Sequence, residues 1–164
     1  MKIYTERLCL IPLTAEELRK LTEDIKGFEK ELNCTYEAEP MEGFFLDIVK
    51  EQVKATEKDS ENYVWHTFWM LVRKSDNVVV GSADFKDVPN EYGEVEIGYG
   101  LGKKFENNGY MTEAVEAMCN WALKQKDVKK IIAETYLDGF ASQRILKRCG
   151  FVQYKQGETL WWKR

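Results

Sequence analysis

The segment EVEIGYGLGKKFENNGYMTEAVEAM, residues 94–118, restricts this chain more than any other. In its first eight residues Val95, Ile97, Tyr99 and Leu101 fall on one face of an extended strand, and Glu94, Glu96, Gly98 and Gly100 on the other. One face is bulky; the other has carboxylates at its start and then no side chain. Glycines inside a strand weaken it and mark places where a ligand or another backbone comes close. Asn108-Gly109 is a hairpin signal, yet Met111, Ala114, Val115, Met118 and Ala122 then recur at helical spacing. The chain therefore turns from a strand into a helix through a corner of two asparagines and a glycine. Around Asn107 to Thr112 backbone N–H groups converge at a helix N-terminus, where donors and the helix dipole together attract phosphate. Gly109 lets the chain turn sharply and lets a pyrophosphate approach the backbone. The segment has no Gly-Lys-Ser/Thr, so it is not a Walker A loop, and it has one glycine where a dinucleotide fingerprint needs three. An ordinary strand-to-helix turn would show the same spacing. The stripped strand beside it, with Glu96 at one end and the cradle at the other, is what points to an extended phosphorylated cofactor.

The remaining chain alternates helices and strands without linker, repeat or low-complexity tract, and 164 residues with 44% hydrophobic content suit one domain spanning 1–164. Arg7 to Pro12 reads as a first strand. Thr14 with Glu17 makes a capping box that opens a helix through Leu18 and Leu21 toward Gly27. ELNCTYEAEP reads as a loop, and Phe45, Ile48, Val49 and Val53 predict a helix over 42–57. Val64 to Val72, apolar on both faces, reads as a central strand. NVVVGSADF and GEVEIGYGL follow it and complete a meander. KKIIAETYL is a further strand, Ala141 to Cys149 a helix stopped by Gly150, and FVQYKQGETLWWK a hairpin turning at Gln156-Gly157. The fold class is α/β, of the α+β kind.

A net charge of -4 argues against nucleic acid or an anionic membrane as partner. Cys9, Cys34, Cys119 and Cys149 form no CxxC pair, and His66 is the single histidine, so zinc-site spacing is absent and the expectation is a reduced, cytoplasmic, metal-free protein. The apolar run at the N-terminus is short and interrupted by Glu6 and Arg7, which argues against a signal peptide or membrane span. Trp161 and Trp162 point to opposite sides of a strand, one toward the core and one toward a contact surface, which suits a monomer or a homodimer.

GEVEIGYGL with FENNGYMTEAVEAM, then FASQRILKRCGF, and TERLCLIPLT at the start, together resemble the GNAT superfamily of acyl-CoA-dependent N-acetyltransferases over nearly the whole chain. Within it the likeness is to the RimJ/RimL branch of ribosomal-protein acetyltransferases. The resemblance implies a mixed, mostly antiparallel central sheet flanked by helices, with a strand-turn-helix pyrophosphate loop. It implies acetyl-CoA as cofactor, coenzyme A as product, and transfer of the acetyl group to a primary amine by direct attack in a ternary complex. The amine would be a protein N-terminus, a polyamine or another small amine. Ile97, Gly98, Tyr99 and Leu101 on the strand, and Asn107, Asn108, Gly109, Tyr110, Met111 and Thr112 in the loop, would contact the cofactor.

The chain departs from the family pattern in four places. The loop pattern Gln/Arg-x-x-Gly-x-Gly/Ala stands here as Glu106 to Met111, with Glu106 adding a negative charge near phosphates and Met111, a milder change, in the place of Gly or Ala. Gly139 stands where an Asn usually precedes the last helix, and Leu146 where many members carry a general-acid tyrosine. An alkylamine is protonated at neutral pH, so a carboxylate must take its proton, and Glu96 is the candidate. Ser142 would donate a hydrogen bond to the departing thiolate. By residue type alone, Glu96 could equally be a solvent-facing strand residue and Ser142 a first-turn helix residue. Cys149 has no base near it in sequence and reads as a small buried side chain. Tyr36, Glu37, Glu39, Glu42, Phe44 and Phe45 lie in the segment that commonly shapes the acceptor pocket, and would suit a cation. Two other readings stay open: a non-catalytic acyl-CoA-binding module in which Glu96 is idle, and an interaction domain that binds no CoA.

Overall fold

From the N-terminus the chain lays down two strands, β1 (Ile3–Tyr4) and β2 (Leu8–Pro12), then the helices α1 (Ala15–Glu23), α2 (Ile25–Leu32) and α3 (Gly43–Lys58), with the short β3 (Thr35–Tyr36) between the last two. The meander follows as β4 (Phe68–Arg73), β5 (Val78–Phe85) and β6 (Glu94–Leu101). After it come α4 (Tyr110–Ala122), β7 (Lys130–Tyr136), α5 (Phe140–Arg148) and the hairpin β8 (Val152–Gln156) with β9 (Thr159–Lys163). This computed structural model describes residues 1–164. The strands form one sheet in the order β1-β2-β4-β5-β6-β7-β9-β8, with β3 pairing in parallel with the start of β5.

The apolar run of β4 is buried on both faces because helices cover both. Phe68, Met70 and Val72 meet Leu18, Phe28 and Val49 under α1 to α3. Trp69 and Leu71 meet Val95, Ile97 and Met118 under α4 and α5. The two layers follow from the alternation of a strand, with each successive side chain sent to the opposite core. Trp162 is buried and its indole N–H donates to Thr135 Oγ1 at 3.0 Å, whereas Trp161 stays half-buried.

Three elements differ from the sequence reading. The first helix ends at Glu23 rather than near Gly27, because Asp24 leaves helical geometry and its carboxylate accepts the Gly27 N–H at 3.0 Å, capping a new helix. The stretch read as a loop contains β3. Val64 and Trp65 belong to a 3₁₀ segment, Ser60–Trp65, and the strand begins only at Phe68. Trp65 is apolar because it packs on Phe85 and Trp121, with ring centroids 4.9 and 5.1 Å away, and a short apolar run does not distinguish such an anchor from a strand.

The feature that makes a site is a fork beside β6. Glu94 to Glu96 pair in parallel with Lys130 to Ile132 of β7, whereas Ile97 to Leu101 pair antiparallel with β5 alone. β7 continues to Tyr136 along β9. Past Glu96 the two central strands therefore part company. The Glu96 carbonyl accepts the Lys86 N–H at 2.9 Å on the β5 side, so alternation turns the amides of Tyr99 and Leu101 away from β5 and into the gap.

Candidate active site

The turn into α4 is built as an open cradle. Gly109 is its N-cap at φ 78, in the left-handed region that glycine adopts without penalty, and no side chain caps the helix. The first-turn N–H groups of Tyr110, Met111 and Thr112 are thus left for an external acceptor. Asn107 is also left-handed, at φ 65. Asn108, expected to touch the cofactor, does not line the cleft. Its side-chain amide donates to the carbonyls of Phe105 and Glu106, each at 3.0 Å, so it holds the loop in shape.

A strap from the N-terminal turn holds the cradle from behind. Arg7 Nη1 donates to the Asn108 carbonyl at 2.8 Å, Arg7 Nε meets Glu113 Oε1 at 2.8 Å, and the guanidinium lies 4.4 Å from the Tyr110 ring centroid. Glu113, in the first turn of α4, also accepts from the Arg7 N–H and the Thr5 hydroxyl. Burial acts to raise the Glu113 carboxyl, but these hydrogen bonds outweigh it and hold the group below its ordinary value.

Between the end of β6, the cradle and α5 lies a cavity of about 320 Å³. Tyr99, Leu101, Asn107, Gly109, Tyr110, Met111, Thr112 and Ser142 line it, as do Gly100 of the bare face and four residues the sequence reading passed over: Ala141, Arg144, Ile145 and Arg148. Ala141, Arg144, Ile145 and Arg148 recur at helical spacing, which was a legible signal for one face of α5. The donor set fits an extended anionic cofactor such as acetyl-CoA, with convergent amides, a glycine that leaves the approach clear, and two guanidinium groups on the facing wall. Glu106 also lines the cavity and opposes it. Glu106→Gln is accordingly expected to tighten acetyl-CoA binding by about two- to fivefold at low ionic strength, with the gain shrinking as salt rises. Isothermal titration at two salt concentrations checks this, and equal affinities at low salt would separate Glu106 from the phosphates.

A second cavity, of about 680 Å³, opens in the fork between β6 and β7. Its walls include Glu96, Ile97 and Gly98 from β6, Glu134, Thr135 and Tyr136 from β7, and Lys86, Gly139 and Thr159. Tyr99 and Ser142 line both cavities and mark their junction. The Tyr99 hydroxyl lies 2.7 Å from Ser142 Oγ. Burial pushes the Glu96 carboxyl above its ordinary value; Lys86 pulls against that, while Glu134 and Asp84 add to it.

The bare face of β6 is not an open slot along its length. A Cβ on Gly98 would sit 2.6 Å from Lys86 Nζ and 2.7 Å from Asp84 Oδ1, so this glycine makes room for an ion pair. Asp84 is further held by Gln52 Nε2 at 2.6 Å. Over Gly100 stands Glu39, whose Oε1 would be 3.3 Å from an added Cβ. The first cavity takes in Tyr99 and Leu101 from the bulky face together with Gly100, where the fork bares backbone. None of Tyr36, Glu37, Glu39, Glu42, Phe44 and Phe45 lines the second cavity; Glu37 pairs with Lys104 at 2.9 Å and Phe45 packs on Phe68. Cys149 is buried, its thiol pushed up to about 11 by that burial, and Sγ donates to the Thr112 carbonyl at 3.5 Å. Such a thiol is inert. No helix is long and apolar enough to cross a membrane.

Comparison with known proteins agrees with this geometry. The acetyltransferase (GNAT) domain model matches residues 7–152. YjdG of Bacillus subtilis, described as an uncharacterized N-acetyltransferase, is 35% identical over 95 residues, a match spanning 57% of this chain and 56% of the relative. The chain thus spans little more than half of that relative's length. The p20 protein of Bacillus licheniformis, also described as an uncharacterized N-acetyltransferase, is 23% identical over 157 residues, covering 91% of this chain and 81% of the relative. Among solved structures, the fold is similar to RimL, a ribosomal L7/L12 alpha-N-protein acetyltransferase in complex with coenzyme A, with a TM-score of 0.73, 14% identity, and coverage of 100% of this chain and 97% of the other. A ribosomal-protein-S5-alanine acetyltransferase from Vibrio fischeri gives a TM-score of 0.70 at 15% identity, covering 100% of this chain and 96% of the other. With a domain match over most of its length and the mostly antiparallel, forked sheet described above, the chain belongs to the GNAT acetyltransferase family.

Proposed function

We propose that this protein is an acetyl-CoA-dependent N-acetyltransferase that acts on a primary amine by direct attack in a ternary complex, in the manner of the RimJ/RimL branch. The observation that carries the reading is the meeting of two cavities at Tyr99 and Ser142, one lined by the phosphate cradle and the other by Glu96. Bound acetyl-CoA supplies an activated acetyl thioester. The cradle amides at Tyr110 to Thr112, with Arg144 and Arg148, hold its phosphates and set how deep it lies. Glu96 takes the proton of the acceptor ammonium, directly or through water, so that a neutral amine can attack. A carboxyl held above its ordinary value by burial keeps a captured proton better than an exposed one, and Lys86 acts against that rise. The Tyr99 and Leu101 amides, unpaired on the β7 side, face the gap and offer hydrogen bonds to the acetyl carbonyl. Ser142 offers a hydrogen bond to the sulfur as it leaves.

The likeness to the two ribosomal-protein acetyltransferases makes a polypeptide N-terminus the first acceptor to try. The test is release of free thiol from acetyl-CoA against a panel of peptide N-termini, polyamines and small amines. Thiol release in step with acetylation of one acceptor class is the expected result. Acetyl-CoA binding with no thiol released anywhere in the panel would return the protein to a binding module, and no binding at all would overturn both readings.

A further inference from the structure

At the junction of the cavities Ser142 does not stand alone. It sits in the first turn of α5, and its Oγ has one hydrogen-bond partner, the Tyr99 hydroxyl at 2.7 Å. That hydroxyl also reaches the Ser142 carbonyl, at 3.3 Å. The two side chains come from β6 and α5, packed together across the mouth of the fork.

A serine hydroxyl is a free rotor with one proton to give. In a helix its usual fate is to bond back to a carbonyl three or four residues earlier, here Gly139 or Asp138. A serine so engaged has no proton left for a sulfur atom. Tyr99 changes this. A phenol is a much stronger acid than an alkyl hydroxyl, and Oγ at 2.7 Å is a nearer acceptor than the carbonyl at 3.3 Å, so the single tyrosine proton is assigned to the serine oxygen. One lone pair of Oγ is then taken by Tyr99, and the serine proton is left for another acceptor.

We infer that Tyr99 is a positioning residue that orients the Ser142 hydroxyl so that its proton faces the sulfur of the bound cofactor. The inference rests on the acetyl-transfer reading above. Burial pushes the Tyr99 hydroxyl up to about 12, so it stays protonated, and remains a donor, throughout the neutral range. The same shift makes it a weaker acid than a thiol, so it does not give its proton to a thiolate. Tyr99 therefore works by orientation, with no proton leaving it.

The test uses coenzyme A itself, whose thiolate absorbs in the ultraviolet and can be titrated while bound. In the parent protein the bound thiol should ionise at lower pH than free coenzyme A. Tyr99→Phe keeps the ring that packs in the core and should weaken the thiol's ionisation constant by about three- to tenfold, the scale of one hydrogen bond. Ser142→Ala should remove the whole effect, and Tyr99→Phe added to it should do nothing more. Turnover should fall by a similar factor in Tyr99→Phe, with coenzyme A affinity unchanged by isothermal titration. A bound thiol that titrates in Tyr99→Phe as in the parent, or losses that add in full in the double variant, would overturn the inference. If coenzyme A binds and an amine is acetylated while Tyr99→Phe is silent, only this inference falls. If coenzyme A does not bind, the acetyl-transfer reading falls with it.

Discussion

Glu96→Gln is expected to bind acetyl-CoA as the parent does and to turn over about 10²-fold more slowly or worse, the scale of a lost general base. The substitution keeps the shape of the side chain and removes only its ability to take a proton, so the walls of the acceptor cavity stand. Its dependence on pH separates two roles for the carboxylate. Burial holds the Glu96 carboxyl above its ordinary value. Because a base works in its deprotonated form, parent activity should climb as pH rises through that raised value, then climb further as more of the amine becomes neutral toward its own pKa near about 10. In the variant the first rise is lost and the second remains, so the deficit narrows at high pH. A carboxylate that only anchored a cationic acceptor would give a different pattern, a raised KM with kcat little altered and no rescue by alkali. Steady-state kinetics over a pH series with a working acceptor decides between them. Full turnover at neutral pH would remove Glu96 from the chemistry.

Gly109→Val should abolish the rise in Tm that acetyl-CoA produces. For the parent at about 100-fold excess over Kd, native-state binding contributes about 2.7 kcal/mol, on the order of 5–10 °C for a domain of this size. Valine fails for two reasons. The left-handed backbone, φ 78, is one that a β-branched residue rarely adopts, and its methyl groups would stand where phosphate must approach the amides. The Cβ itself meets no collision, since the nearest atom to it is Arg7 Nη2 at 3.4 Å, an ordinary contact. Gly109→Ala, strained but smaller, should keep part of the shift. The apo Tm and circular dichroism of both variants report whether the fold survives. A folded Gly109→Val that gains the full ligand shift would place the phosphates elsewhere.

What could be read from sequence was what lies within one element. The alternation of β6, the capping box at Thr14 and the strand-to-helix corner at Gly109 are local patterns, and the structure shows each. What fills a pattern is another matter. The bare face of β6 was visible, but Asp84 of β5 and Lys86 just after it reach that face through a pairing register that no spacing within β6 reveals, and a shift of one residue would send them to the opposite face. The fork is likewise invisible, since it exists only because β7 follows β9 rather than β6 beyond Ile132. Tyr99 and Ser142 are 43 residues apart, and nothing in either neighbourhood announces the other. The end of the first helix was misread for a different reason: Asp24 suits the end of one helix as well as the cap of the next, and local propensity does not choose. Arg144 and Arg148 could have been found, because their spacing with Ala141 and Ile145 defines a helix face.

The strap on the cradle bears on how the chain acquires its shape. The residues of the phosphate loop are contiguous, so the turn and first coil of α4 are cheap to form in terms of loop closure. Their clasp is not local: Arg7 and Glu113 are separated by 106 positions, and closing so long a loop is a slow, entropically costly event that topology places late. The turn carries left-handed residues at Asn107 and Gly109 that by themselves prefer other conformations, so its final geometry waits for the opening strands to dock beside β4. A partly folded chain would then hold the whole nucleating segment yet lack a rigid anion site, and the cofactor would act as a late arbiter that recognises completed molecules rather than a template that hastens the first steps of folding.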